Sequence, residues 1–295
     1  MSYWTVVVTR NGSAHLTQTL DSLLNQKQAA KRITIVDDGS TDETPNILRK
    51  YERLNDNVTV LTKPDRGYDI RRVPANINLA WAENADLTTE YFMISGDDCT
   101  YPAGYTASLL ANMQEDMRLV VASGRPTTRE SQSQEHAPSG SGRMVRCTFW
   151  RQVGGKYPLR AGWEAWLLYK AAEQGFEVQL FDSLTYEHAR PRGAAHQFVY
   201  WGAAMSTLGY HPLYAIGRIV VNVSKPSFAP KRAVNMLRGY LQAELGSDDT
   251  FMLPYERSLQ SFVKQKQSQK IGRVMSSTLQ TKAQDNLSHP YHFRF

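Results

Sequence analysis

The sequence predicts an α/β protein whose mostly parallel sheet is flanked by helices. Short apolar runs alternate along roughly the first two thirds of the chain with segments whose apolar side chains recur at helical spacing. Two of these runs end in paired carboxylates, which is typical of strand ends at the ligand-binding edge of open α/β sheets. The 295 residues are 41% apolar and 21% charged, as in ordinary globular proteins. We therefore expect one large Rossmann-like domain, or such a domain with an appendage.

The predicted elements follow one another in order along the chain. Residues 4–8 and 33–36 are short apolar runs that predict the first two strands, and residues 14–24 and 42–54 have the periodicity of the helices that follow them. Further strands are predicted at residues 58–61, 91–94, 119–122 and 178–181.

Two segments depart from this alternation. Residues 125–146 are polar and have little periodicity, which predicts a long mobile loop. Residues 196–223 mix aromatic and small residues with isolated arginines, and helical periodicity returns over residues 232–245 and 255–273. A basic, amphipathic helical extension over residues 196–273 suits peripheral contact with an anionic membrane surface. A helix pair packed against the sheet domain is an equally weighted alternative.

Charge and cysteine content narrow the class of partner. The formal charge of +6 and pI of about 9.2 indicate anionic partners such as phosphates or acidic lipid headgroups. The two cysteines imply no disulfide framework and fit a reducing compartment. We recognise no secretion signal, no run of roughly 20 apolar residues that could span a bilayer, and no nucleic-acid-binding module. We therefore expect a cytoplasmic protein, peripheral on the cytoplasmic face of a membrane, that binds no nucleic acid.

The first acidic strand end lies within residues 33–44. The apolar run stops at Asp37 and Asp38, Gly39 permits a tight turn, and Ser40 or Thr41 can cap the next helix. Carboxylates at a strand tip do not pack in a core, whereas they readily accept hydrogen bonds from a base edge or a ribose.

The second acidic strand end lies within residues 91–98. Asp97 and Asp98 follow an apolar run, and adjacent carboxylates repel each other unless a cation or hydrogen-bond donors compensate them. A hard divalent ion held by one or two carboxylates and by substrate phosphates provides that compensation.

Together these motifs resemble family-2 glycosyltransferases with the GT-A fold. The first strand carries Thr9 and Arg10, and the two acidic strand ends follow in the family's order and approximate spacing. Three later motifs agree with that order: Val-Gly-Gly at 153–155, Gly-Trp-Glu at 162–164 before a helix ending at Gly175-Phe176, and Tyr-Glu-His at 186–188. The resemblance, over residues 3–195, implies a donor-binding half at 1–102, an acceptor-binding half at 103–195 and a helical extension at 196–295.

The resemblance also implies which residues bind the nucleotide-sugar donor. They are Thr9, Arg10, Asp37, Asp38, Arg72, Asp97, Arg190 and Arg192. Asp37 would hold the nucleobase, while Asp97 and Asp98 stand in for the family's Asp-x-Asp and would reach the ribose and a Mg²⁺ or Mn²⁺ ion on the diphosphate. The family's common first Asp falls at Ser95, which leaves fewer carboxylates for the metal.

Cationic groups near residue 190 add to this implied donor site. His188 would ligate the metal or donate a hydrogen bond to the diphosphate. Arg190 or Arg192 would neutralise the leaving group or an acceptor phosphate, and a guanidinium such as that of Arg72 can bind phosphate bidentately.

Glu164 is the candidate catalytic base. Counted back from Gly175-Phe176, it falls where the family has its catalytic Asp, and Trp163 takes the acidic position before it. An inverting transfer needs a carboxylate on the acceptor side that removes the hydroxyl proton. The alternative is an ordinary glutamate at a helix N-terminus, where the helix dipole favours it.

These inferences predict a metal-dependent inverting glycosyltransferase that moves a sugar from a UDP- or GDP-sugar to a hydroxyl of a glycan or lipid-linked acceptor. A polyprenyl phosphate acceptor is a close alternative, and it would make Glu164 less important and Arg190 or Arg192 more so. A non-catalytic nucleotide-sugar-binding module is a second alternative that Ser95 and Trp163 keep open. A sugar nucleotidyltransferase is disfavoured because no glycine-rich, basic triphosphate loop follows the first strand.

Overall fold

The computed structural model describes residues 1–127, 137–190, 197–223 and 230–281. The chain divides into two compact units, one made of Met1–Pro158 and Gln174–Arg192 and the other of Leu159–Glu173 and Gly193–Phe295. The predicted donor residue Arg192 lies outside the described residues.

Within its described residues, the first unit is built on one eight-stranded sheet. Its strands are β1 (Tyr3–Thr9), β2 (Ile33–Asp37), β3 (Val58–Thr62), β4 (Tyr91–Gly96), β5 (Cys99–Thr100), β6 (Leu119–Thr127), β7 (Arg143–Arg146) and β8 (Glu177–His188), in the order β3-β2-β1-β4-β7-β6-β8-β5. Its helices are α1 (Leu16–Leu24), α2 (Thr44–Leu54), α3 (Val73–Glu83), α4 (Tyr105–Glu115) and α5 (Cys147–Gln152). The predicted α/β fold is confirmed.

The neighbouring strands β3, β2, β1 and β4 are parallel, and this places the acidic strand ends side by side. Their apolar runs are nearly continuous because both faces of β1, β2 and β4 are buried. In the register of the sheet, Thr9 lies opposite Asp37 and Val8 lies opposite Gly96. The carboxyl ends of β1, β2 and β4 therefore meet at one edge.

The loop predicted over residues 125–146 is wrong at both of its ends. Residues 125–127 extend β6, and β7 is a buried strand that pairs antiparallel with β4 and β6. Arg143 is buried because its guanidinium donates hydrogen bonds to the carbonyls of Ser139 and Pro138. Arg146 lies 5.0 Å over the ring of Tyr91. Residues 128–136 lie outside the described residues.

The second unit contains the predicted C-terminal helices. They are α7 (Gln197–Thr207), α8 (Pro212–Val223), α9 (Pro230–Glu244) and α10 (Arg257–Thr281), and the unit also contains α6 (Trp163–Glu173), which lies in the predicted acceptor-binding half. Helices α7 and α9 cross with their backbones in contact at Gly202 and Gly239, where an added Cβ would lie 1.8 Å from a carbonyl oxygen of the other helix. Among the described helices, none has both the length and the apolar character needed to cross a bilayer.

Candidate active site

The turn after β2 presents a buried carboxylate. Asp37 Oδ1 accepts hydrogen bonds from the backbone N–H and the hydroxyl of Ser40, at 2.9 and 2.6 Å. Gly39 has φ of 76° and lies so close to Asp65 that no Cβ would fit. Asp37 Oδ2 is buried and has no hydrogen-bond partner among the described residues. Because buried polar atoms are almost always paired, this oxygen is a candidate acceptor for a ligand N–H.

Asp38 is held by two cations. Arg72 Nε donates to Asp38 Oδ2 at 2.8 Å, and Lys63 Nζ lies 3.2 Å from Oδ1. Burial favours a higher pKa for Asp38, but hydrogen bonds and charge from Arg72 and Lys63 outweigh it and lower the pKa. Sequence reasoning found Arg72 and missed Lys63. The only signal for Lys63 is its place directly after β3, whose register with β2 pairs Thr62 with Asp37.

Arg10, which directly follows β1, holds the turn after β2 in place. Its guanidinium donates to the carbonyls of Asp38 and Gly39, at 2.7 and 2.6 Å, and to the carboxylate of Asp65 at 2.7 Å. These contacts fix the backbone that carries Asp37 and Asp38. They give Arg10 a positioning role in the described structure.

Asp97 is clamped at the end of β4. Thr9 Oγ1 donates to Asp97 Oδ2 at 2.6 Å, across the parallel pair of β1 and β4. A Cβ on Gly12 would lie 2.3 Å from the same carboxylate oxygen, so a glycine is required there. The guanidinium of Arg190 bridges both acidic side chains, because Nη2 contacts Asp97 Oδ1 and Nε lies 2.9 Å from Asp98 Oδ2.

Asp98 faces a histidine on its other side. The pairing of β5 with β8 places Cys99 opposite His188. His188 Nδ1 lies 2.8 Å from the carbonyl oxygen of Arg190, and His188 Nε2 lies 3.7 Å from Asp98 Oδ1. Since a carbonyl only accepts hydrogen bonds, Nδ1 carries a proton, and Nε2 is the ring nitrogen that faces the carboxylate.

This arrangement fits a divalent cation. Nε2 of a neutral imidazole and a carboxylate oxygen are both metal ligands, and here they face each other closely enough for one divalent cation to bind both. A histidine whose second ring nitrogen donates to a backbone carbonyl is the usual form of a metal-bound imidazole. Cys99 lies within reach of the same position as Asp98 and His188. Burial and the neighbouring Asp98 raise the pKa of Cys99 to about 12, which keeps it a neutral thiol and a poor ligand for hard cations.

Ser95, at the family's usual first acidic position, faces the core. Its hydroxyl lies 2.9 Å from that of Tyr101 and donates to the carbonyl of Gly96. The side chain is buried, so its hydroxyl serves the packing beneath β4 and β5. The acidic side chains at this strand end are Asp97 and Asp98.

The second unit carries Glu164. Its side chain is exposed in the first turn of α6, where the helix dipole favours a carboxylate. Gly162, with φ of 84°, leads into the helix and approaches Leu208 closely. Trp166 is buried, as expected for a core residue, and Trp163 packs beside Phe251.

The first unit thus brings most of the sequence-predicted donor residues into one contact network. Its members are Thr9, Arg10, Asp37, Asp38, Arg72, Asp97, Asp98, His188 and Arg190. Glu164 belongs to the other unit.

The α/β sheet and its acidic edge agree with those expected of a glycosyltransferase of the GT-A type. The glycosyl transferase family 2 profile matches residues 4–176, which is more than half of the chain. The protein therefore belongs to glycosyl transferase family 2. A comparison with curated protein sequences finds no match.

Solved structures share the fold. The mannosyltransferase PcManGT from Pyrobaculum calidifontis, in complex with GDP-Man and Mn²⁺, aligns with a TM-score of 0.54 at 15% identity, over 83% of this chain and 76% of that one. S. aureus TarS 1–349, in complex with UDP-GlcNAc, aligns with a TM-score of 0.53 at 15% identity, over 85% of this chain and 74% of that one. GalNAc-T7 with UDP, GalNAc and Mn²⁺ aligns with a TM-score of 0.58 at 11% identity, over 85% of this chain and 56% of that one. At these identities the similarity establishes the fold.

Proposed function

We propose that the protein is a metal-dependent, inverting glycosyltransferase that uses a UDP- or GDP-sugar and glycosylates a hydroxyl of a glycan or lipid-linked acceptor. The observation that carries the proposal is the facing pair of Asp98 and His188, with Arg190 on the far oxygen of Asp98. The nucleotide-sugar complexes and the Mn²⁺ ions of the structural neighbours support it.

On the donor side, each residue has a task set by its contacts. Asp37 Oδ2 accepts an N–H of the nucleobase, and Asp97, held by Thr9, accepts a ribose hydroxyl. Asp98 and His188 hold Mg²⁺ or Mn²⁺, which when bound neutralises and orients the leaving diphosphate. Arg190 adds a guanidinium beside the same carboxylates. Arg192 stays a predicted donor residue.

On the acceptor side, Glu164 takes the hydroxyl proton while that oxygen attacks the anomeric carbon. Its support is its place in the family's motif order and its exposed carboxylate at the start of α6. Inversion follows because the acceptor oxygen attacks one face of the anomeric carbon while the bond to the diphosphate oxygen breaks on the other.

The division of labour and the cellular location are also proposals. We assign donor binding to residues 1–102, acceptor binding to residues 103–195 and an accessory role to residues 196–295. The near absence of cysteine supports a reducing compartment, so we place the reaction on the cytoplasmic side of a membrane.

A donor screen tests the proposal. We expect one class among UDP- and GDP-sugars to bind at least about ten-fold more tightly with Mn²⁺ than with a chelator, because the cation offsets the diphosphate charge. We also expect Mn²⁺-dependent release of free nucleotide, which a non-catalytic module would not produce. Equal binding of every donor with and without the metal would contradict the metal-dependent assignment.

Replacing Arg190 by Gln is expected to tighten Mn²⁺ binding to the nucleotide-free protein several-fold. The guanidinium shares both carboxylates with the metal site, so its removal takes away a repelling charge. Donor affinity in the presence of Mn²⁺ is expected to fall, because a cation beside the diphosphate is lost. Titration of free Mn²⁺ by electron paramagnetic resonance measures the first effect, and calorimetry measures the second.

The matched control is Arg53→Gln. It makes the same charge change at an exposed position in the last turn of α2, at the opposite end of that helix from the acidic edge. Both proteins should share the wild-type fold. Unchanged or weaker Mn²⁺ binding by the Arg190 variant would show that the guanidinium does not compete with the metal.

A further inference from the structure

Helix α9 buries one face and leaves an apolar stripe on another. Val234, Leu237 and Leu241 recur at i, i+3 and i+7 and are 45% to 64% exposed, and Leu245 continues the spacing just beyond the helix. Met236 and Gly239 lie on the buried face, where Gly239 contacts the backbone of α7. The stripe is therefore not needed for packing within the described part of the second unit.

Helix α8 repeats the pattern. Leu213, Ile216 and Val220 have the same i, i+3, i+7 spacing and are 54% to 65% exposed, while Ala215 is buried. Single exposed aliphatic residues are ordinary on a protein surface. Stripes on two successive helices are not, and such surfaces mark contact with another apolar phase.

The charge around these stripes is predominantly positive, and Glu244, exposed at the end of α9, is the one acidic residue of helices α8 and α9. Residues 188–243 contain no aspartate or glutamate, and their charged residues are Arg190, Arg192, Arg218, Lys225, Lys231, Arg232 and Arg238. On α9, Lys231 and Arg238 are exposed and fall beside the stripe on a helical projection. A partner that matches this surface has an apolar interior and anionic groups at the surface of that interior.

We propose that helices α8 and α9 dock the protein on an anionic lipid bilayer. Their aliphatic stripes would lie at the boundary between headgroups and acyl chains, with Lys231 and Arg238 at the lipid phosphates. A protein partner fits less well, because the stripes consist of Leu, Ile and Val and lack the tryptophan and tyrosine that dominate protein-binding hot spots. The surface belongs to the second unit and does not depend on the donor chemistry proposed above.

Vesicle co-sedimentation of the full chain tests this inference. We expect the wild type to pellet with vesicles of phosphatidylcholine and phosphatidylglycerol, and to pellet less with phosphatidylcholine alone. The double substitution Leu237→Gln with Leu241→Gln should weaken binding about ten-fold or more, since two exposed side chains lose apolar burial in the bilayer. Lys231→Gln with Arg238→Gln should weaken only the binding to anionic vesicles and reduce its salt dependence.

The matched control is Leu54→Gln with Met117→Gln, which removes two apolar side chains of the first unit that are even more exposed than Leu237 and Leu241. It should pellet like the wild type. Failure of the wild type to bind either kind of vesicle would overturn the inference and favour a protein partner. Equal vesicle binding by the wild type and the α9 double variant would also overturn it. Nucleotide binding, measured on the same samples, reports separately on the proposed glycosyl transfer.

Discussion

Replacing Glu164 by Gln is expected to lower kcat by roughly 10²- to 10⁴-fold with a hydroxyl acceptor, the range that a positioned general base supplies. Donor affinity should stay near that of the wild type, since the residues that we assign to donor binding lie in the first unit. The amide keeps the size of the side chain at an exposed position of α6, and loss of its favourable interaction with the helix dipole costs only about 0.3–1 kcal/mol.

Single-turnover kinetics with a hydroxyl and with a phosphate acceptor make this test selective. Glu115→Gln, at an exposed position of α4, is the matched control and should retain wild-type turnover. If the Glu164 variant transferred sugar to a hydroxyl at the wild-type rate, Glu164 would not be the base. Efficient transfer to a polyprenyl phosphate by both proteins, with little transfer to any hydroxyl by the wild type, would identify the phosphate as the natural acceptor group.

Replacing Asp98 by Asn is expected to abolish the gain in donor affinity that Mn²⁺ confers and to lower kcat/KM by about a hundred-fold or more. Loss of a residue that only supports a metal ligand typically costs 10- to 100-fold, and Asp98 is proposed as a ligand itself. The substitution replaces a charged oxygen facing His188 and also removes an ionic partner of Arg190.

The readout for Asp98 is metal binding as well as turnover. Mn²⁺ titrations in the presence of UDP or GDP should show weak binding to the Asp98 variant and intermediate binding to His188→Ala. Asp86→Asn makes the same change at a surface carboxylate that is 76% exposed, and it should behave like the wild type. Full Mn²⁺-dependent donor binding by the Asp98 variant would remove this residue from the metal site.

Much of the fold can be predicted from the sequence because strands buried on both faces appear in it as uninterrupted apolar runs. The runs that form β1, β2 and β4 are apolar without alternation, and each acidic pair follows such a run. Parallel neighbours share a carboxyl edge, so two acidic strand ends predict one site. The meeting of Thr9 with Asp97 is a direct product of that register.

What sequence reasoning missed depends on contacts that leave no local pattern. Strand β7 looks like a polar loop because Arg143 and Arg146 are assumed to be exposed, whereas both are buried and donate hydrogen bonds to backbone carbonyls. Lys63 is a single cation in a turn, and only the neighbouring strand brings it to Asp38. Arg10 stays a predicted donor residue, and its hydrogen bonds to the turn that carries Asp38 have no local signal in the sequence.

Diffraction from crystals grown with Mn²⁺ and the preferred nucleoside diphosphate, measured on both sides of the manganese absorption edge, would locate the proposed metal site. We expect an anomalous peak beside Asp98 Oδ1 and His188 Nε2, in contact with the diphosphate. Bound nucleotide with no anomalous peak there, or with manganese held by other residues, would contradict that expectation.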